Sequence, residues 1–103
     1  MFGQPTDMRK GFDGLSGLII NKLGKTPIDG SVYIFINRRR DRMKLLVWQS
    51  YGFVLYYKRL ESGTFEITWS LENEISIEWE TLMLIIQGVS IENIKRRKRY
   101  KRA

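Results

Sequence analysis

Residues 32–63 read VYIFINRRRDRMKLLVWQSYGFVLYYKRLESG, and this stretch decides the fold. Three apolar runs are separated by short polar breaks. Val32 to Ile36 is β-branched and aromatic throughout, the pattern of a strand buried on both faces. Asn37 to Arg42 is a polar, cationic turn. Lys44 to Gln49 carries Leu45, Leu46, Val47 and Trp48 and reads as a second strand. Ser50, Tyr51 and Gly52 make a hairpin loop, with Gly52 available for a left-handed conformation. Phe53 to Leu60 is a third strand, closed by a turn at Glu61, Ser62 and Gly63. Connections this short imply an antiparallel meander.

Beyond Gly63, Phe65, Ile67 and Trp69 alternate with Glu66 and Thr68. That period of two predicts a fourth strand with one wet face. A second helix is predicted from about Glu78 to Gln87. Glu78 and Glu80 favour its first turn, and Gly88 follows its end. On the other side, Met8, Phe12, Leu15, Ile19 and Leu23 repeat at three- and four-residue spacing. They predict a first helix with Asp7 as N-cap and Gly24 as its stop. Gly11, Gly14 and Gly17 weaken that helix by up to ~1 kcal/mol each, so packing must hold it. Glycines there also permit close approach to a sheet. Pro27, Asp29 and Gly30 form the turn into the first strand.

The predicted fold is α+β: a four-stranded antiparallel meander between about Val32 and Trp69, covered on one face by an N-terminal and a C-terminal helix. Residues 1–94 form the single domain, and residues 95–103 a disordered basic tail.

The net charge of +7 is unevenly placed. Residues 1–37 carry four Lys/Arg against three Asp/Glu, residues 38–59 seven against one, residues 60–94 none against seven, and residues 95–103 seven against none. A neutral body with a cationic tail and a basic central turn suggests a polyanionic partner, nucleic acid before membrane. In the tail, KRRKRYKRA, the cations Lys95, Arg96, Arg97, Lys98, Arg99, Lys101 and Arg102 would condense on a phosphate backbone and release counterions. Tyr100 could stack on an exposed base. The tail could instead be a solubilising arm, or fold back on the acidic segment before it. In the turn, the forks of Arg38, Arg39, Arg40 and Arg42 suit phosphate or guanine. Lys44, Lys58 and Arg59 could join the same face. The plain alternative has these arginines pair with Asp41 and the acidic segment. Tyr33, Phe35, Trp48, Phe53, Tyr56, Tyr57, Phe65 and Trp69 invite comparison with base-stacking sheets, although core packing explains them more simply.

Enzyme chemistry finds little footing. The chain has neither cysteine nor histidine. Thiolate metal sites and imidazole general bases are therefore excluded. Asp7, Asp13 and Asp41 are scattered, whereas two-metal phosphoryl transfer needs converging carboxylates. Ser16, Ser31 and Ser62 have no histidine to activate them. The glycines lack P-loop spacing. No cofactor is expected. No signal peptide or bilayer-length apolar run is visible, so a soluble, cytoplasmic, nucleoid-associated protein with no membrane partner is expected.

Three stretches carry a family resemblance: PTDMRKGFDGL (Pro5 to Leu15), NRRRDRMKLLVW (Asn37 to Trp48) and GFVLYYKRLESGTF (Gly52 to Phe65). Together they resemble the accessory protein, TnpB, encoded by the second open reading frame of insertion sequence 66 family elements. The resemblance covers roughly residues 5–90. It implies a bacterial protein that works in DNA transposition beside a separate transposase, which does the cutting and joining. Family residues carry over at Asp7, Met8, Arg9, Lys10, Phe12 and Asp13. They carry over again at Arg38, Arg39, Arg40, Asp41, Arg42, Lys44, Trp48, Lys58, Arg59 and Glu61. The chain departs from the pattern in three places. It has only Met1 to Gln4 where members have a short first strand. Gln49 and Ser50 stand where Asp-Gly is common after Trp48, and Glu78 stands where Ser or Thr is usual. The expected partners are DNA and the element's transposase. A protein-interaction module without nucleic-acid contact, or an RNA-binding protein, are the alternatives.

Overall fold

The computed structural model describes residues 1–67, 69, 74, 80, 82 and 83. Its centre is the predicted meander. Strands β1 (Val32–Ile36), β2 (Arg42–Gln49) and β3 (Gly52–Arg59) form an antiparallel sheet in the order β1-β2-β3. Ile36 pairs with Met43 across the first turn, and Gln49 with Gly52 across the second.

β1 is buried on both faces, as its unbroken apolar run predicts. Tyr33 and Phe35 face one core with Leu46, Phe2, Leu15 and Ile19. Ile34 and Ile36 face a second core with Met43, Phe65 and Leu82. Leu15 and Ile19 are fully enclosed, and each such side chain contributes roughly 1.5–3 kcal/mol. They come from helix α1 (Phe12–Leu18) and the π-helical turn that continues it, Ile19–Leu23. The first helix therefore covers one face, and residues from the C-terminal third cover the other. The expectation that both helices lie on one face is corrected. A strand apolar on both sides needs cover on both sides even at the sheet's edge, and a single layer leaves Ile34 and Ile36 in water.

Two boundaries differ from expectation. Gly11, not Asp7, precedes α1. Residues 7–10 instead close a turn, in which the Lys10 amide donates to the Asp7 carbonyl (3.1 Å) and the Arg9 amide to Asp7 Oδ1 (2.9 Å). Gly24 ends the helical segment as predicted, with φ +64°. In the β2–β3 hairpin the left-handed residues are Ser50 and Tyr51, at φ +53° and +64°, and Gly52 already belongs to β3. A two-residue loop between right-twisted strands favours a primed turn, and here φ is positive at both central positions although neither is glycine.

Among the described residues the sheet has three strands, not four. Phe65, Glu66 and Ile67 do alternate in burial, but they pair with no strand. The Phe65 amide donates to the Arg40 carbonyl (2.6 Å), which pins the segment to the first turn. Phe65 then fills the second core beside Ile36 and Met43. A period of two reports an extended segment with one buried side; it does not report a ladder. Glu80, Leu82 and Met83 have helical backbone, and the rest of the predicted second helix lies outside the described residues. So does the tail, residues 95–103. The short first strand is replaced by a segment that backs the edge of β1. There the Phe2 amide donates to the Ile34 carbonyl (2.8 Å) and the Thr6 amide to the Ile36 carbonyl (2.9 Å). Among the described residues no helix is long and apolar enough to cross a membrane.

Two substitutions test the local physics. A Cβ at Gly17 meets nothing closer than 4.0 Å, so its absence there serves no packing. Tyr51 is 97% exposed and left-handed. Gly17→Ala and Tyr51→Gly should each stabilise the fold by about 0.5–1 kcal/mol. The two effects should add, because the sites share no partner. Urea unfolding of the single and double variants measures both.

Tyr33 provides a pH test. Burial pushes its hydroxyl up to about 12 from 10.0, and its hydrogen bond to Asp29 Oδ2 (2.7 Å) adds to the rise. A folded-state value above the unfolded one means that stability is complete below about pH 10 and is lost as pH climbs towards 12. A phenolate absorbance titration should show one late step, which Tyr33→Phe removes.

Candidate nucleic-acid interface

The β1–β2 turn is built by Asn37. Its Oδ1 accepts from the amides of Asp41 and Arg42, both at 3.0 Å. Its Nδ2 donates to Asp41 Oδ1 (2.7 Å), and its carbonyl accepts from the Arg40 amide (3.0 Å). An asparagine side chain copies a backbone turn in this way. Asp41 is thus engaged by Asn37, and among the described residues no arginine pairs with it. Arg40 takes the left-handed position, φ +60°, and its guanidinium donates to the Ile67 carbonyl (3.3 Å). Arg38, Arg39 and Arg42 are exposed, and among the described residues no carboxylate pairs with their guanidiniums.

These three arginines line one side of a cleft of about 460 Å3. The other side is the loop Thr6, Asp7, Met8 and Arg9, and Asn37 and Tyr57 complete it. Asp7 and Arg9 form a forked ion pair, with Nη2 to Oδ2 at 2.6 Å and Nε to Oδ2 at 3.0 Å. The hydrogen bonds from Arg9 hold the Asp7 carboxyl at about 2, well below its ordinary value. The Asp7 charge at the cleft is therefore already matched.

The remaining predicted contacts are dispersed. Lys44 is buried, 7% exposed, and its ammonium donates to the carbonyls of Met8 and Lys10, both at 2.7 Å. It also lies 4.8 Å from the centre of the Tyr57 ring. Lys44 is a structural cation that ties the loop to the sheet, and it is not displayed beside the arginines. Arg59 stands opposite Arg42 in register and pairs with Glu61 (2.8 Å). Lys58 lies on the other face of the sheet, where it lines an apolar groove with Val47 and Leu82. Lys95, Arg96, Arg97, Lys98, Arg99, Lys101 and Arg102 lie outside the described residues.

Of the aromatic series, Tyr33, Phe35 and Phe65 are buried in the core. Trp48 and Phe53 pack edge to face at 5.0 Å, and Phe12 stacks on Phe53 at 6.4 Å. Tyr57 is half exposed and sits in the cleft. Among the described residues no three His, Cys, Asp or Glu side chains come together as a metal would require.

Charge patterning missed Thr6, Arg9 and Tyr57. The available signal was the Thr-Asp-Met-Arg run, in which an Asp two residues before an Arg suits a turn stapled by an ion pair.

An α+β domain gathers, at one sheet end, three arginines that meet no carboxylate among the described residues, and it belongs to the class of small basic proteins. The IS66 Orf2-like family matches residues 1–96, and the chain belongs to that family. It is an insertion-sequence-associated accessory protein. It is similar to uncharacterized protein y4jC of Sinorhizobium fredii, 31% identical over 94 residues, covering 91% of this chain and 80% of the relative. It is also similar to uncharacterized protein y4hO of the same organism, 30% identical over 84 residues, covering 82% and 73%. No solved structure matches the chain significantly.

Lys44→Met tests the tie. It leaves two carbonyls without their donor and should destabilise the fold by about 1–3 kcal/mol. Amide exchange at Lys10 should accelerate as its turn loosens.

Proposed function

We propose that this accessory protein binds DNA without catalysing a reaction itself, and that it assists a separate transposase of the same element at the element's ends. The observation that carries this reading is the set of three arginines, Arg38, Arg39 and Arg42, on one cleft with no carboxylate partner among the described residues. A turn built for local folding alone gains nothing from displaying like charges in this way; a polyphosphate relieves their repulsion. The arginines position the duplex, and the tail cations Lys95 to Arg102 supply most of the sequence-independent affinity. Family membership places the protein with an insertion sequence, where DNA is the polyphosphate being moved.

A gel shift on duplex DNA at two salt concentrations tests the reading. The wild type should show a log-log salt slope of roughly −4 to −6. Full-length protein with the seven tail cations changed to Gln should lose most of that slope. Arg38→Gln with Arg39→Gln and Arg42→Gln should weaken binding further. An unchanged affinity and slope in both variants would overturn the reading. Single-stranded RNA competing better than the duplex would redirect it to RNA.

A further inference from the structure

We propose that the cleft between the Thr6–Arg9 loop and the Asn37–Arg42 turn is a seat for one phosphate group, with the Thr6 hydroxyl as its fixed donor. This deepens the DNA-binding reading and rests on it for the source of the phosphate. Two independent observations meet here. The cleft is lined by four guanidiniums, Arg9, Arg38, Arg39 and Arg42, against one carboxylate, and that carboxylate is already paired to Arg9. An anion is the ligand that this lining favours.

The second observation concerns Thr6. It lines the same cleft and is 5% exposed. Its Oγ1 is buried and has no hydrogen-bond partner among the described residues. Buried hydroxyls nearly always find partners, so an orphan beside a cationic cleft points to a ligand atom. Thr6 is also rigidly placed, because its amide is fixed on the Ile36 carbonyl at the end of β1. The next residue, Asn37, builds the arginine turn. One strand end therefore sets the distance between the hydroxyl and the guanidiniums.

The cleft is far larger than a lone phosphate and falls within the usual range of ligand pockets, roughly 300–1,000 Å3. It admits the phosphate together with its attached sugar. The half-exposed Tyr57 ring offers a flat wall beside it. The phosphate could be an internal phosphodiester or the monoester at a strand's 5′ end, and the test separates these.

The probes are inorganic phosphate and two versions of one short oligonucleotide, with a 5′-phosphate and with a 5′-hydroxyl. The protein is the full chain. In amide NMR, phosphate should shift Thr6, Arg9, Asn37 and Arg38 selectively, and chloride at equal ionic strength should not. Thr6→Val should weaken oligonucleotide binding about tenfold, the loss of one charge-assisted hydrogen bond. It should also raise the melting temperature, because the orphan hydroxyl is gone. Thr6→Ser should restore binding. These opposite signs in affinity and stability separate a ligand donor from a merely structural residue. A 5′-phosphate preference that Thr6→Val abolishes assigns the monoester; an equal loss on both oligonucleotides assigns the phosphodiester. Phosphate shifts scattered over the surface, or Thr6→Val binding at wild-type strength, would overturn the seat. If that happens while the tail and arginine variants still lose duplex affinity, the DNA reading survives without it. If phosphate shifts the cleft but the wild type binds no duplex, the seat survives and the DNA reading fails.

Discussion

The buried ammonium of Lys44 holds the two halves of the cleft together. It starts in the middle strand, passes the ring of Tyr57 and ends on the carbonyls of Met8 and Lys10. Removing an ammonium from water costs several kcal/mol unless its donors are satisfied. Here two carbonyls and an aromatic face replace water. Those carbonyls are free to accept because residues 7–10 form a turn and have not entered α1. One cation therefore explains where the helix begins, why the loop stays beside β2, and why Arg9 faces the arginine turn.

The second constraint is the two-sided burial of β1. Its unbroken run of apolar residues cannot tolerate an open face. Helix α1 and the turn after it satisfy one side, and Phe65 and Leu82 reach the other. The hairpin turn lies between these layers. Its arginines emerge at the sheet's end. The positive charge is concentrated by architecture as much as by composition. Arg40 points to Ile67 and Arg59 is held by Glu61, which leaves Arg38, Arg39 and Arg42 together.

Much of this was legible. The three strands, both hairpin connections and the stop at Gly24 follow from local pattern and turn chemistry. The arginine turn was visible as a charge cluster. The family was visible in the three quoted blocks, and the match over residues 1–96 agrees. What misled was patterning that serves two purposes. The alternation at Phe65 to Ile67 describes one buried side of an unpaired segment. The spacing from Met8 to Phe12 spans a turn and a helix start; Met8 packs on the core, while Phe12 stays half exposed and stacks on Phe53. Lys44 looked like one more surface cation, because charge in a sequence carries no record of burial.

The chain's order of residues determined its local geometry: where the backbone extends, where it turns, and how much charge each segment bears. Those properties depend on neighbours a few positions apart. Only the assembled fold decided which cations stand in water and which serve the core. That outcome depends on contacts such as Lys44 with Met8 and Thr6 with Ile36, tens of residues apart, where desolvation and carbonyl geometry outweigh any local preference.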